Sequence, residues 1–147
     1  MNLTRHIAAC FAAVLVGASS IAAAEEHAFT EGQVVTMYSI RTEPGKFEEY
    51  MNFLQKIWKP TQDAARKHGY VLSSSVIKVE PRGENDPDIY LVVYYKNWAA
   101  LDGAAEKADV VAREVEGSLA AANESTVGRA RIRRLLGSWT GQQLDLK

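Results

Sequence analysis

The run of residues 89–96 predicts a strand that is buried on both faces. Its first seven residues are all β-branched, aromatic or leucine, and such side chains pack well on a pleated surface. Asn97 follows with a side-chain oxygen that can cap a helix, and Trp98-Ala99-Ala100-Leu101 begins one. The other predicted elements must therefore either extend this strand or cover it.

Two segments carry apolar residues at the three- and four-residue spacing of an amphipathic helix. The first covers residues 46–68, and Pro60 inside it predicts either a kink or two short helices. Gly69 predicts the end of this segment. The second begins after Asn97 and runs to about residue 123, with a narrower, alanine-rich apolar stripe.

Three further segments predict strands because β-branched and aromatic residues recur in them. They cover residues 33–42, 70–80 and 129–139, and a turn is predicted at residues 124–128. The loop at residues 81–88 is polar and contains two prolines. It joins the second strand to the run at residues 89–96, so we expect these two strands to form an antiparallel hairpin.

The order of strand, helix, strand, strand, helix and strand predicts a ferredoxin-like α+β fold. Its antiparallel sheet would carry both helices on one face. The buried strand is apolar on both sides, because Ile89 and Leu91 alternate with Tyr90, Val92 and Tyr94. The face without helices would then expose more apolar surface than a soluble monomer normally does. We therefore expect a homodimer that pairs two such faces.

The first 24 residues have the layout of a secretory signal peptide. Arg5 and His6 make a short basic region, residues 7–16 are apolar, and residues 22–24 form a small-residue cleavage site. We expect residues 25–147 to form a single domain that is periplasmic or secreted, with no later membrane span. Cys10 is the one cysteine of the chain, and it would leave with the signal peptide. The mature protein could then form no disulfide.

The composition argues against several classes of partner and cofactor. A formal net charge of −1 gives no field for binding nucleic acid. After the signal peptide only His27 and His68 remain as histidines, and no histidine pair or carboxylate cluster has metal-ligand spacing. We predict no metal site, no cofactor and no catalytic set.

Parts of the chain resemble the dimeric α+β barrel superfamily. The resemblance lies in the first strand followed by Pro44-Gly45-Lys46-Phe47-Glu48-Glu49-Tyr50, in the buried strand, and in Asn97-Trp98-Ala99-Ala100-Leu101. It covers roughly residues 33–140, and within the superfamily the chain most resembles the antibiotic-biosynthesis monooxygenase-like branch and the related stress-induced or haem-degrading branches. The resemblance implies a dimeric ferredoxin-like barrel, in a superfamily whose members include oxygenases, haem enzymes, isomerases and proteins of unknown role.

Seven residues are candidates for a ligand site. They are Tyr38, Trp58, His68, Tyr90, Tyr94, Asn97 and Trp98. The aromatic residues either form plain core and interface or line a cleft for a flat apolar ligand. Asn97 with Trp98 is either a helix cap beside a core tryptophan or, in an oxygenase, an amide that holds a substrate oxygen or dioxygen beside an aromatic wall. His68 either caps a helix end or serves as a haem ligand or an acid–base group.

Three arginines alternate in the predicted last strand. Arg129, Arg131 and Arg133 would share one face of it. That face is either a solvated edge that discourages aggregation or a contact for an anion, in a pocket or across a dimer.

Two functions from different classes follow from the sequence. The first is an exported dimeric module that binds a small apolar or aromatic ligand or a protein partner. The second is a cofactor-independent or haem-associated monooxygenase-like enzyme, which rests on the resemblance and on Asn97 with Trp98.

Overall fold

The computed structural model describes residues 27–147, so the predicted signal peptide lies outside the described residues. The elements, in chain order, are β1 (Phe29–Thr42), α1 (Phe47–Phe53), a π-helical turn (Leu54–Trp58), α2 (Lys59–Lys67), β2 (Ser73–Lys78), β3 (Ile89–Tyr95), a 3-10 helix (Trp98–Leu101), α3 (Ala104–Glu116), α4 (Leu119–Arg129) and β4 (Arg133–Leu146). Within the described range, no helix is long and apolar enough to cross a membrane.

The four strands form one antiparallel sheet in the order β2-β3-β1-β4. The predicted hairpin joins β2 to β3, with Ser73 opposite Tyr94. Each strand–helix–strand unit places its two strands on either side of a third, which is the ferredoxin-like arrangement. The predicted fold class is therefore confirmed.

The main core lies between one sheet face and the helices. In the register of β1 and β3, Ile40 lies opposite Ile89 and Tyr38 opposite Leu91. The core cluster joins Ile40, Ile89 and Leu91 to Tyr50 of α1 and to the π-helical turn. A second cluster packs α2 against α3 through Ala64, Ala65 and Val111. Both clusters lie on one side of the sheet, the side that carries the helices, as predicted.

The alternate side chains of the strands form the opposite side of the sheet, which we call the open face. Its large apolar residues are Val35 and Met37 of β1, Ile77 of β2, Tyr90, Val92 and Tyr94 of β3, and Trp139 of β4, and the register also places Ser39, Ser73 and Ser75 there. Ile77 is 41% exposed and Trp139 is 52% exposed. The single described chain therefore carries an apolar sheet surface that its own helices leave uncovered.

Pro60 does not break the first helical segment, because a π-helical turn precedes it. The backbone N–H of Lys59 donates to the carbonyl of Leu54, five residues back, and α2 begins there. Pro60 thus occupies the first turn of α2, where a missing N–H costs little. The hydroxyl of Thr61 donates to the carbonyl of Ile57 at 2.8 Å.

The predicted turn at residues 124–128 is wrong, because α4 continues through it to Arg129. Gly117, with φ of 80°, ends α3, and the hydroxyl oxygen of Ser118 accepts from the N–H of Ala121 to begin α4. The hydroxyl of Thr126 donates to the carbonyl of Ala122 at 3.0 Å, so this polar side chain bonds within the helix.

The predicted last strand at residues 129–139 is also displaced. β4 begins at Arg133 and continues to Leu146, paired along its length with β1. Arg129 ends a helix and Arg131 lies in a turn, so the three arginines do not share a strand face. The bounds of β1 and β2 differ from prediction as well, since β1 begins at Phe29 and β2 covers only Ser73–Lys78. β1 gains length because its first residues pair with the end of β4.

Candidate ligand-binding cleft

A cleft of about 560 Å³ lies between the sheet and the helices. We call it the interior cleft; its walls include Tyr38, Leu91, Val93 and Tyr95 of the sheet and Trp58, Ala65, Ala108, Val111 and Ala112 of the helices. Sites for small organic molecules typically have volumes of roughly 300–1,000 Å³ and mostly apolar walls. The cleft has the size and the lining of such a site.

The small side chains of α3 account for the empty volume. Ala104, Ala108 and Ala112 recur every fourth residue and all line the cleft. Residues at this spacing share one face of a helix, and here that face is turned toward the cleft. Larger side chains would be needed to fill a layer at the packing density of a protein interior. The alanine stripe therefore leaves room for a molecule opposite the sheet.

Aromatic side chains supply flat walls. Tyr38 and Tyr95 line the cleft from the sheet, and Trp58 lines it from the π-helical turn. Burial raises the pKa of the Tyr95 phenol, and the neighbouring Tyr38 raises it further. A hydrogen bond with Thr36 lowers the same pKa, but by less. Tyr95 is therefore neutral at physiological pH and offers a neutral hydroxyl within the apolar lining.

Polar groups without internal partners occur along the same cleft. Gln62 Oε1, Glu116 Oε2 and Arg133 Nε are buried atoms with no hydrogen-bond partner in the described part of the chain. All three residues line the cleft. Buried polar atoms in native proteins are nearly always bonded, so these atoms are available to a bound molecule or to water.

Two arginines lie at the end of the cleft where α4 meets β4. Arg129 is the last residue of α4 and Arg133 is the first residue of β4, and both line the cleft. Burial lowers the pKa of the Arg133 guanidinium, and the positive charge of Arg129 lowers it further. Burial likewise raises the pKa of the nearby Tyr50 phenol. The positive charges of Arg133 and Arg129 lower the same pKa, but by less.

The structure brings two of the seven predicted site residues together. Tyr38 and Trp58 line the interior cleft, whereas Tyr90 and Tyr94 belong to the open face. His68 lies at the exposed end of α2, with Nε2 2.7 Å from Glu114 Oε2. Its ring is stacked on Tyr70 with the centroids 5.2 Å apart. His68 therefore connects the end of α2 to α3 through its contact with Glu114.

Asn97 and Trp98 take positions outside the interior cleft. Asn97 Oδ1 accepts from the N–H of Ala100 at 3.2 Å and caps the 3-10 helix. Trp98 is 49% exposed, and its Nε1 donates to Gln142 Oε1 at 2.9 Å. Asn97 therefore caps a helix, as one interpretation of the sequence holds, whereas Trp98 is too exposed to be the core residue of that interpretation.

Replacing Asn97 by alanine tests this assignment. We expect Asn97→Ala to lower the free energy of unfolding by about 1 kcal/mol, because one helix cap is lost. Urea denaturation followed by circular dichroism measures the change, and Asn97→Ser, which can still cap, serves as the control. An Asn97→Ala protein of unchanged stability that no longer binds a cleft ligand would contradict the structural role.

Sequence reasoning missed the residues that give the cleft its shape and its polar groups. Gln62, Glu116, Tyr95 and the alanines of α3 carry no motif, since their role depends on which face of an element they occupy. Arg129 and Arg133 had a detectable pattern, and an anion contact was one of its two interpretations. Among residues 27–147, no group of three histidine, cysteine or acidic side chains is placed to hold a metal ion.

Comparison with known proteins identifies the fold. No protein-family model matches the chain, and no curated protein matches it in sequence. The crystal structure of HapK from Hahella chejuensis superposes with a TM-score of 0.52 at 12% identity, covering 75% of this chain and 91% of that chain. The chain has a ferredoxin-like fold.

A second solved structure supports the same assignment. It is a dimeric ferredoxin-like protein from an uncultured marine organism, with a TM-score of 0.50 and 14% identity. The similarity covers 80% of this chain and 98% of that chain. At such low identity the ferredoxin-like architecture is what the two proteins are shown to share with this chain.

Proposed function

We propose that this protein is a binding module that holds a small, largely apolar and planar organic molecule in the interior cleft. The observation that carries the proposal is the combination of apolar and aromatic walls with buried polar atoms that lack partners. The cleft has a volume of about 560 Å³ and is partly open to solvent, so a small molecule could enter it.

We also propose that the functional form is a homodimer joined through the open faces. The open face is apolar, and Trp139 and Ile77 remain substantially exposed in the single chain. One protein of similar fold is described as dimeric. Pairing two identical faces about a twofold axis removes the apolar surface from water with one type of contact.

The resemblance to monooxygenase-like proteins supplies an alternative function for the same cleft. In that hypothesis Asn97 would hold a substrate oxygen, but its amide oxygen already caps a helix and its side chain does not line the cleft. The binding role accounts for the observed lining without requiring a reaction. Oxygen consumption in the presence of a bound aromatic molecule would favour the enzyme instead.

Export of the chain is a further part of this proposal. Its support is the layout of residues 1–24, with a basic start, an apolar stretch and small residues before Glu25. The intact mass of the protein recovered from the periplasm or the medium tests it, because cleavage leaves a chain that begins at Glu25. A full-length mass in the cytoplasm would contradict export.

The binding role is tested by titration with a neutral aromatic probe, N-phenyl-1-naphthylamine. Replacing Trp98 and Trp139 by phenylalanine leaves Trp58 in the cleft wall as the one tryptophan of the chain. We expect saturable quenching of its fluorescence with a matching rise in probe emission. The matched control replaces Trp58 by phenylalanine and keeps the other two tryptophans. Absence of saturable quenching, or equal quenching in the control, would contradict a site in the interior cleft.

A further inference from the structure

We propose that the ligand of the interior cleft is an organic anion, whose carboxylate or similar planar oxyanion is bound by Arg133 and Arg129. This inference rests on the proposed binding function and specifies the chemical class of the molecule bound. The apolar body of the ligand would lie against Tyr38, Trp58 and the alanines of α3, with its charged end at the junction of α4 and β4.

Arg133 is a half-buried cation without a carboxylate partner. It faces the helices because it lies opposite Thr42 in the register of β1 and β4, on the same side as Leu135. Its Nε is buried and has no hydrogen-bond partner, and it makes no ion pair with any acidic residue in the range 27–147. Charged groups that are removed from water normally have a partner of opposite charge, so the Arg133 guanidinium is available to an anion that a ligand would supply.

The adjacent Arg134, at the same end of the sheet, has an acidic partner. Its side chain belongs to the other face of β4, and its Nε lies 3.4 Å from Glu43 Oε1. The same strand therefore carries one arginine with an acidic partner and one without. The arginine without a partner is the one that lines the interior cleft.

Arg129 is held in a fixed position beside the same end of the cleft. Its Nη2 donates to Thr126 Oγ1 at 3.3 Å, and its guanidinium carbon lies 5.4 Å from the centre of the Phe53 ring. These contacts use one donor and one face of the guanidinium, so further N–H groups are available. No acidic residue between positions 27 and 147 pairs with it.

Two neighbouring guanidinium groups repel each other, and an anion bound between them would remove that cost. Burial and the positive charge of Arg129 both lower the pKa of Arg133. Guanidinium groups match the geometry of a carboxylate through two parallel N–H bonds. Glu116 also lines the cleft but forms no ion pair with either arginine in the described chain, so it does not neutralise them.

Titration with 2-naphthoate and 2-naphthamide tests this inference, because the two probes share a ring system and differ in charge. We expect the single-tryptophan protein to bind naphthoate at least about tenfold more tightly than naphthamide, the gain expected for charge-assisted hydrogen bonds. Arg133→Gln should weaken naphthoate binding by about tenfold or more and leave naphthamide binding unchanged. Arg134→Gln is the matched control and should change neither.

The outcomes separate this inference from the proposed function. Equal affinity for the two probes, or naphthoate binding that Arg133→Gln leaves unchanged, overturns the anion assignment while the binding role stands. Failure of both probes and of N-phenyl-1-naphthylamine overturns the binding role and the inference with it. If Arg133→Gln proves unfolded by circular dichroism, Arg133→Lys replaces it, because lysine keeps the charge but lacks the two parallel N–H donors of a guanidinium. Weaker binding of naphthoate alone would then support the inference. Unchanged binding of naphthoate would overturn it.

Discussion

A glutamate in place of Met37 is expected to convert the proposed homodimer into a folded monomer. Met37 lies at the centre of the open face, opposite Val92 of β3 and Trp139 of β4. A twofold axis would bring two such glutamates into one apolar interface. Burying an unpaired charge costs several kcal/mol, so the dissociation constant should rise by about a thousandfold or more.

Sedimentation velocity over a range of concentrations measures this effect. Met37→Leu conserves volume and polarity and should remain dimeric. Asn52→Glu adds the same charge to an exposed position of α1 and should also remain dimeric. A Met37→Glu protein that stays dimeric would show that the subunits pair through another surface, and a monomeric unmodified protein would show that the open face needs no partner.

A tryptophan in place of Ala112 is expected to abolish binding in the interior cleft. Ala112 is the last of the three alanines of α3 that line the cleft, so the added indole would occupy volume that the ligand needs. Forcing both groups into one space costs about 3 kcal/mol, which corresponds to about a hundredfold loss of affinity. Fluorescence of N-phenyl-1-naphthylamine measures the loss, because the probe emits strongly only when it is in an apolar site.

Ala120→Trp is the matched control for this substitution. Ala120 lies on the exposed side of α4 and does not line the cleft, so the same side chain should there leave binding unchanged. Because the indole of Ala112→Trp enters existing space, urea denaturation should show little loss of stability. Undiminished binding by a folded Ala112→Trp protein would place the ligand elsewhere on the molecule.

The fold was predictable because its strongest signals are local. The apolar run that forms β3 and the periodic stripe that forms α1 and α2 each determine an element without reference to the rest of the chain. The order of these elements then selects the ferredoxin-like arrangement. The restart of a helix at Ser118 was missed, because the polar residues that follow it are also typical of turns. That error displaced the predicted start of β4.

The cleft was less predictable because it depends on the register of the strands and on the small size of side chains in α3. Tyr38 and Tyr90 are equivalent by composition, yet pairing of β1 with β3 places them on opposite faces of the sheet. The empty volume results from alanines on α3 facing the sheet, and a sequence pattern does not show whether a neighbour fills such a gap. Arg129 and Arg133 meet at the cleft because a helix ends four residues before the strand begins. If Arg129 and Arg133 belonged to one strand, as predicted, their side chains would share one face of that strand instead.

Native mass spectrometry of the purified mature protein tests the central claim most directly. The account predicts a mass of two chains together with a small organic acid that leaves on collisional activation. Denaturing extraction should then release the same molecule in roughly equal number to the subunits. A monomer that carries no small molecule, and takes up none of the aromatic probes, would contradict both the paired open faces and the binding role of the interior cleft.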